Sequence, residues 1–75
     1  MNVSSKKILE FICAELGIDA EDVNKNVLLE SLITDDYEMQ ELLESVANEF
    51  EIEIEIEPQF DWSLVYLAEA IADSV

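Results

Sequence analysis

Apolar residues at Ile8, Phe11, Ile12 and Leu16 recur at the three-and-four spacing of one helical face between Ser5 and Leu16. Gly17 follows where a right-handed helix commonly closes, so a helix over 5–16 is predicted. A second, stronger stripe runs through Met39, Leu42, Leu43, Val46 and Phe50, with Glu38, Glu41, Glu44 and Glu49 kept off it. It predicts a helix that opens at Asp35 or Asp36. Asp35 with Glu38 three positions later fits a capping box, in which each side chain satisfies a free backbone N–H. A third stripe holds Leu64, Val65, Ala68, Ile71, Ala72 and Val75, preceded by Asp61 and Ser63 as candidate caps.

The stretches between these helices have different patterns. Residues 18–34, "IDAEDVNKNVLLESLIT", set the turn formers Asp19, Asn24 and Asn26 around short apolar clusters, which predicts a long structured connection containing a turn of helix. Its apolar members, Ile18, Val23, Leu28, Leu29 and Leu32, are expected to tuck under the bundle. Residues 51–58, "EIEIEIEP", alternate acid and isoleucine with the period of a strand. The chain offers no second strand to pair with it, and an isolated strand is unstable in water. Pairing with its own copy would set Glu51, Glu53, Glu55 and Glu57 against like charges. The expectation is an extended linker that places one or two isoleucines in the core. Together these elements predict an all-α fold, a small four-helix bundle of three long helices and one short, with a long first connection and a single domain over 1–75.

Size and charge narrow the picture. Seventy-five residues bury roughly 60% of the surface an unfolded chain exposes, so a single small core is expected. Apolar residues make up 51% of the chain while Gly17 and Pro58 are the single glycine and proline, a composition of a packed helical domain rather than an acidic tail. Three lysines against nineteen acids give a net charge of −16. Such a surface repels nucleic acid and anionic membranes and attracts basic protein surfaces, at a rate that falls as salt rises. In "MNVSSKKILEFICAEL" the acids Glu10 and Glu15 interrupt the apolar stretch and no small-residue cleavage site follows, so no signal peptide is read there. No apolar run reaches the roughly 18 residues of a membrane span. A soluble, cytoplasmic monomer is the expectation.

The side chains exclude several chemistries. Cys13 is the only cysteine and histidine is absent, which removes an internal disulfide, a structural zinc site and the Ser-His-Asp and Cys-His machineries. Cys13 reads as a half-buried small hydrophobe. "DAEDVNKNVLLE" places acids near calcium-loop spacing but lacks the glycine at the sixth position. The adjacent Asp35 and Asp36 at a helix mouth form no cleft of the kind a carboxylate dyad needs. No phosphate-binding glycine loop is present. Neither an enzyme nor a metal site is expected.

The run "ILEFICAELGIDAEDVNKN", leading through "LLESLITDD" to a helix ending "LLESVANEFEIEI" in a short and very acidic chain, resembles the acyl carrier protein family. The likeness covers nearly the whole chain and weakens after Pro58. It rests on the "LGI" that closes the first helix before an acidic loop, the spacing from there to Leu32, Glu41–Leu42, Glu49–Phe50 and Glu53–Ile54. The resemblance implies a four-helix bundle with a 4'-phosphopantetheine arm on a serine of an Asp-Ser-Leu motif, at the head of the second long helix. Partner enzymes with basic surfaces, in fatty-acid, polyketide or related biosynthesis, would dock on the acids of that helix. Here they are Asp35, Asp36, Glu38, Glu41 and Glu44, while Ala47 and Asn48 stand where acids are frequent in the family.

The motif itself departs. Aligning Leu32 and Phe50 with the family puts Asp35 on the motif aspartate, Asp36 on the serine and Tyr37 on the leucine, with Ile33 in place of the usual glycine. The attachment hydroxyl is gone, and a carboxylate joined to the arm's phosphate would be a mixed anhydride that water cleaves. Ser31, in "ESL", is the fallback attachment site. Using it slips the register by five residues, a net rotation of about 140° that turns the Met39–Phe50 stripe off the core. No attached cofactor is therefore expected. The leading reading is an acyl-carrier-like docking domain that is not phosphopantetheinylated. A carrier loaded at Ser31 is the second reading, and a generic acidic interaction or inhibitor protein the third. Asp36 is expected to serve as a charge at the helix start, or further as a fixed imitation of the arm's phosphodiester. Tyr37, Phe60 and Trp62 are candidates to fill the space an acyl chain would use.

Overall fold

The computed structural model describes residues 3–24 and 26–74. Among them the chain forms three α-helices, α1 (Ser5–Leu16), α2 (Asp36–Phe50) and α3 (Leu64–Asp73), and no strand. Each follows the stripe that predicted it. The last predicted apolar position, Val75, lies outside the described residues. Helix α1 packs mainly on α3 and less extensively on α2. The radius of gyration is 11.1 Å, close to the value of about 11 Å for a folded chain of this length.

The core is wholly apolar. Ile8, Ile12 and Cys13 of α1, Leu29 and Ile33 of the first connection, Met39, Leu42, Leu43 and Val46 of α2, and Leu64, Leu67, Ala68 and Ile71 of α3 are buried, with no buried polar side chain among them. Phe11 and Phe50 close one side with rings edge to face at 5.8 Å and 82°. Cys13 is more deeply set than its half-buried expectation, at 1% exposure.

The helix ends explain the boundaries. Helix α1 closes in a Schellman turn: Ile18 N–H donates to Cys13 O at 2.9 Å and Gly17 N–H to Ala14 O at 3.3 Å, with Gly17 at φ 73°. Helix α2 closes in a related way, since Glu51 N–H and Ile52 N–H both return to Ala47 O, the latter at 3.0 Å. Yet the left-handed position is filled by Glu51, the described non-glycine residue with positive φ, at 55°. At α3 the Ser63 Oγ accepts from Tyr66 N–H at 3.0 Å, so Ser63 is the cap and Asp61 is not.

The first connection is bound into the fold rather than looped over it. The helical turn expected there takes the form of two three-residue 3₁₀ turns, Ala20–Asp22 and Leu29–Ser31. Asp19 Oδ1 caps the first, accepting from Glu21 N–H at 3.1 Å, and Asn24 Oδ1 accepts from Asn26 N–H at 2.8 Å. These local bonds compete with a longer helix. Beyond them the chain pairs with the approach to α3: Leu29 N–H donates to Trp62 O (2.9 Å), Glu30 N–H to Phe60 O (3.0 Å) and Leu64 N–H to Val27 O (2.9 Å). An antiparallel bridge joins Leu28 and Ser63. Leu29 and Ile33 enter the core, and Ile18, Val23 and Leu32 pack against it.

Residues 52–57 form an extended segment without helix or bridge, and exposure alternates along it, with every glutamate exposed and every isoleucine half-buried. Ile52, Ile54 and Ile56 all pack on the core, where one or two were expected. Phe60 and Trp62 also pack there, and the Trp62 ring meets Tyr66 edge to face at 4.7 Å.

The backbone and the core generate three predictions. A Cβ built on Gly17 meets nothing within 4 Å, so Gly17→Ala carries only the left-handed backbone penalty, a loss of about 1–2 kcal/mol. Glu51→Gly relieves the matching strain at α2 and should gain about 0.5–1 kcal/mol, with Glu51→Gln, which keeps its Cβ, as the control for charge. Urea unfolding midpoints measure both. Burial, then the nearby Asp19 carboxylate, push the Cys13 thiol above its ordinary value. The unfolded chain ionises this thiol at lower pH than the fold does. Stability linked to it is therefore whole below the ordinary thiol value and is lost as pH rises through the folded one. A thiol reagent at mildly alkaline pH should label native Cys13 at least about ten-fold more slowly than the urea-unfolded chain.

Candidate functional site

The head of α2 is where the family resemblance would hang its arm, and its geometry is well defined. Asp35 is the cap: extended at φ −144° and ψ 166°, it accepts from Glu38 N–H at 2.8 Å through Oδ1. The return bond of the capping box, from Asp35 N–H to the Glu38 side chain, is not made; Glu38 Oε1 accepts instead from the Thr34 hydroxyl at 3.1 Å. Asp36 is the first helical residue, exposed and free of the capping role, so the two aspartates divide the work. Asp35 closes the backbone while Asp36 presents a charge at the positive end of the helix dipole.

Tyr37 points outward at 72% exposure and leaves the interior to Phe60 and Trp62. The Glu41 carboxylate one turn on, first as an acceptor for the phenol and then as a charge, raises the Tyr37 hydroxyl above its ordinary value. Tyr37, Glu41, Glu44 and Asn48 form the solvent ridge opposite the buried stripe. The sequence-predicted docking acids are all exposed, but they do not form one cluster. At 3.6 residues per turn Asp36 and Glu38 are separated by roughly 160° around the helix, on opposite flanks of that ridge.

Each flank borders a groove. Toward α1, an open groove of about 160 Å³ is lined by Glu15, Leu16, Ile33, Glu38, Glu41, Leu42 and Ser45. On the other flank, Gln40, Leu43, Glu44 and Ala47 of α2 face Ile54 and Ile56 of the extended segment, with Glu55 and Glu57 at the rim. Sequence reasoning did not find this second groove. Its signals were present: Leu43 and Ala47 at the edge of the α2 stripe, and the isoleucines of 51–58.

No serine stands at the head of α2. Ser31 is exposed in a 3₁₀ turn and donates its hydroxyl to Leu28 O at 2.6 Å. Ser45 is half-buried in mid-helix, and Ser63 caps α3. Among the described residues no group of three His, Cys, Asp or Glu side chains is arranged to hold a metal ion, and no helix is long and apolar enough to cross a membrane. Comparison with protein-family models, with curated proteins and with solved structures returned no match for this chain.

The division between the two aspartates has a measurable consequence. Asp35→Ala should cost about 1 kcal/mol by loss of the cap, lowering Tm by about 4–8 °C in a domain of this size. Asp36→Asn removes a dipole charge alone and should cost at most half of that in a thermal melt.

Proposed function

We propose that this chain is an acyl-carrier-like docking domain, non-enzymatic and without an attached 4'-phosphopantetheine, that binds basic surfaces of partner enzymes through α2. The observation that carries the reading is Asp36. The second long helix opens on a capping aspartate followed by an exposed residue at its first turn, the place a carrier's arm would leave, and that residue has a carboxylate instead of a hydroxyl. On this reading the fold is a reduced four-helix bundle whose short helix is represented by 3₁₀ turns and extended chain. The acids Asp35, Asp36, Glu38, Glu41 and Glu44 are the docking charges, and the deficit of lysine makes association fast and salt-sensitive. Asp36 stands where a phosphodiester would add one negative charge, so a partner reads a permanently loaded imitation.

Ser31 is the place for a second reading, a working carrier. Its hydroxyl is exposed, which favours modification, but it lies in a turn five residues before α2 and is engaged with Leu28 O. A third reading, an acidic interaction or inhibitor protein without any carrier ancestry, would need only the charge.

Intact mass after incubation with coenzyme A and a permissive phosphopantetheinyl transferase separates the three. The native chain should keep its mass, and Asp36→Ser should gain the arm. Modification of the native chain, abolished by Ser31→Ala, would establish the second reading. A folded Asp36→Ser variant that stays unmodified would remove the carrier likeness and leave the third.

A further inference from the structure

The segment at 53–57 runs outside any helix or bridge, and Glu57 O alone is engaged, accepting from Gln59 Nε2 at 3.2 Å among the described residues. Among the described residues, the backbone N–H groups of Glu53, Ile54, Glu55, Ile56 and Glu57 make no hydrogen bond within the fold, and the nearest bridge joins Leu28 to Ser63. Its pleat is already set by burial. Ile52, Ile54 and Ile56 are held on the core, so the glutamates project outward on every second residue. Held to the core through its isoleucines, the segment loses less conformational freedom on pairing than a free chain would. Beside it runs the groove floored by Leu43 and Ala47 of α2, with Gln40 and Glu44 on its far wall.

We propose that this edge accepts an extended segment of a partner protein by strand addition, and that the segment alternates lysine or arginine with small apolar residues. Main-chain bonds to 53–57 would supply the pairing, and the alternation supplies the selectivity. Residues of the added strand on the outer face meet Glu53, Glu55 and Glu57, which call for cations. Residues on the inner face meet Leu43, Ala47, Ile54 and Ile56, which call for apolar side chains small enough for an open groove. A second copy of this chain is the wrong occupant. Glutamate would face glutamate across the pair, and each chain already carries −16. The acid row thus keeps like edges apart while selecting a cationic strand. This edge is separate from the head of α2, and the inference stands whether or not the chain descends from carriers.

The test uses the full chain and three synthetic peptides of one composition: alternating Lys-Val, the same residues with lysines and valines in two blocks, and the alternating peptide N-methylated at every second amide. Fluorescence-labelled peptide titrations should show the alternating peptide binding at least ten-fold more tightly than either control. Its affinity should fall with salt, and every second amide of 53–57, those on the paired edge, should gain protection from hydrogen exchange. Equal binding of all three peptides would reduce the effect to charge adsorption and overturn the proposal, as would absence of binding at low salt. Protection of 53–57 that rises with protein concentration in the absence of peptide would make a second copy the occupant and equally overturn it. Glu55→Lys should weaken the alternating peptide and strengthen a Glu-Val counterpart; a folded variant that leaves both unchanged would refute the pairing.

Discussion

The pairing of the two long connections is the constraint on which the rest of this structure depends. The three helices are 12, 15 and 10 residues long, so about half the chain lies outside them and its backbone polar groups need partners of their own. Residues 27–30 and 60–64 meet that need for each other through the bonds from Leu29 to Trp62, Glu30 to Phe60 and Leu64 to Val27. The same bonds seat Leu29 and Leu64, both with no exposed surface, between the helices. Helix α1 contacts both α3 and α2, and the seam adds Leu29 and Leu64 to the core that these helices share. A domain of this size has a single small core, so each such residue is a large part of it.

The orientation of α2 in turn organises the surface. Its buried stripe turns Tyr37, Glu41 and Glu44 outward and leaves a groove on either flank, one against α1 and one against the extended segment. The acids are spread around the exposed part of the helix and do not converge on one point. The left-handed closure at Glu51 then sends the chain back along α2 rather than away from it. A strained glutamate at this corner is what brings the isoleucine row beside Leu43 and Ala47.

The parts of the fold with a period of their own were legible from the residues. The stripes at 8–16, 39–50 and 64–71 mark the helices, and Gly17, Asp35 and Ser63 mark three of their ends, because caps and helical spacing act within a few residues. At the site, the exposed first-turn position of Asp36 followed from the same reasoning. The end of α2 was not marked, since Glu51 is a poor left-handed residue placed there by packing. The number of isoleucines that reach the core was underestimated, because alternation reports which face is apolar and not what lies beneath it.

The sequence alone determined the helices, their apolar faces, the capping role of Asp35 and the excess of acid, all local properties of spacing and side-chain chemistry. Tertiary structure decided the pairing of 27–30 with 60–64, the outward turn of Tyr37 and the groove beside 54–57. Those features join residues more than ten positions apart or depend on how a helix is rotated against its neighbours. Hydrophobic periodicity sets which face of a helix is buried, whereas the partner it is buried against is chosen by hydrogen bonds and packing that the whole chain must satisfy together.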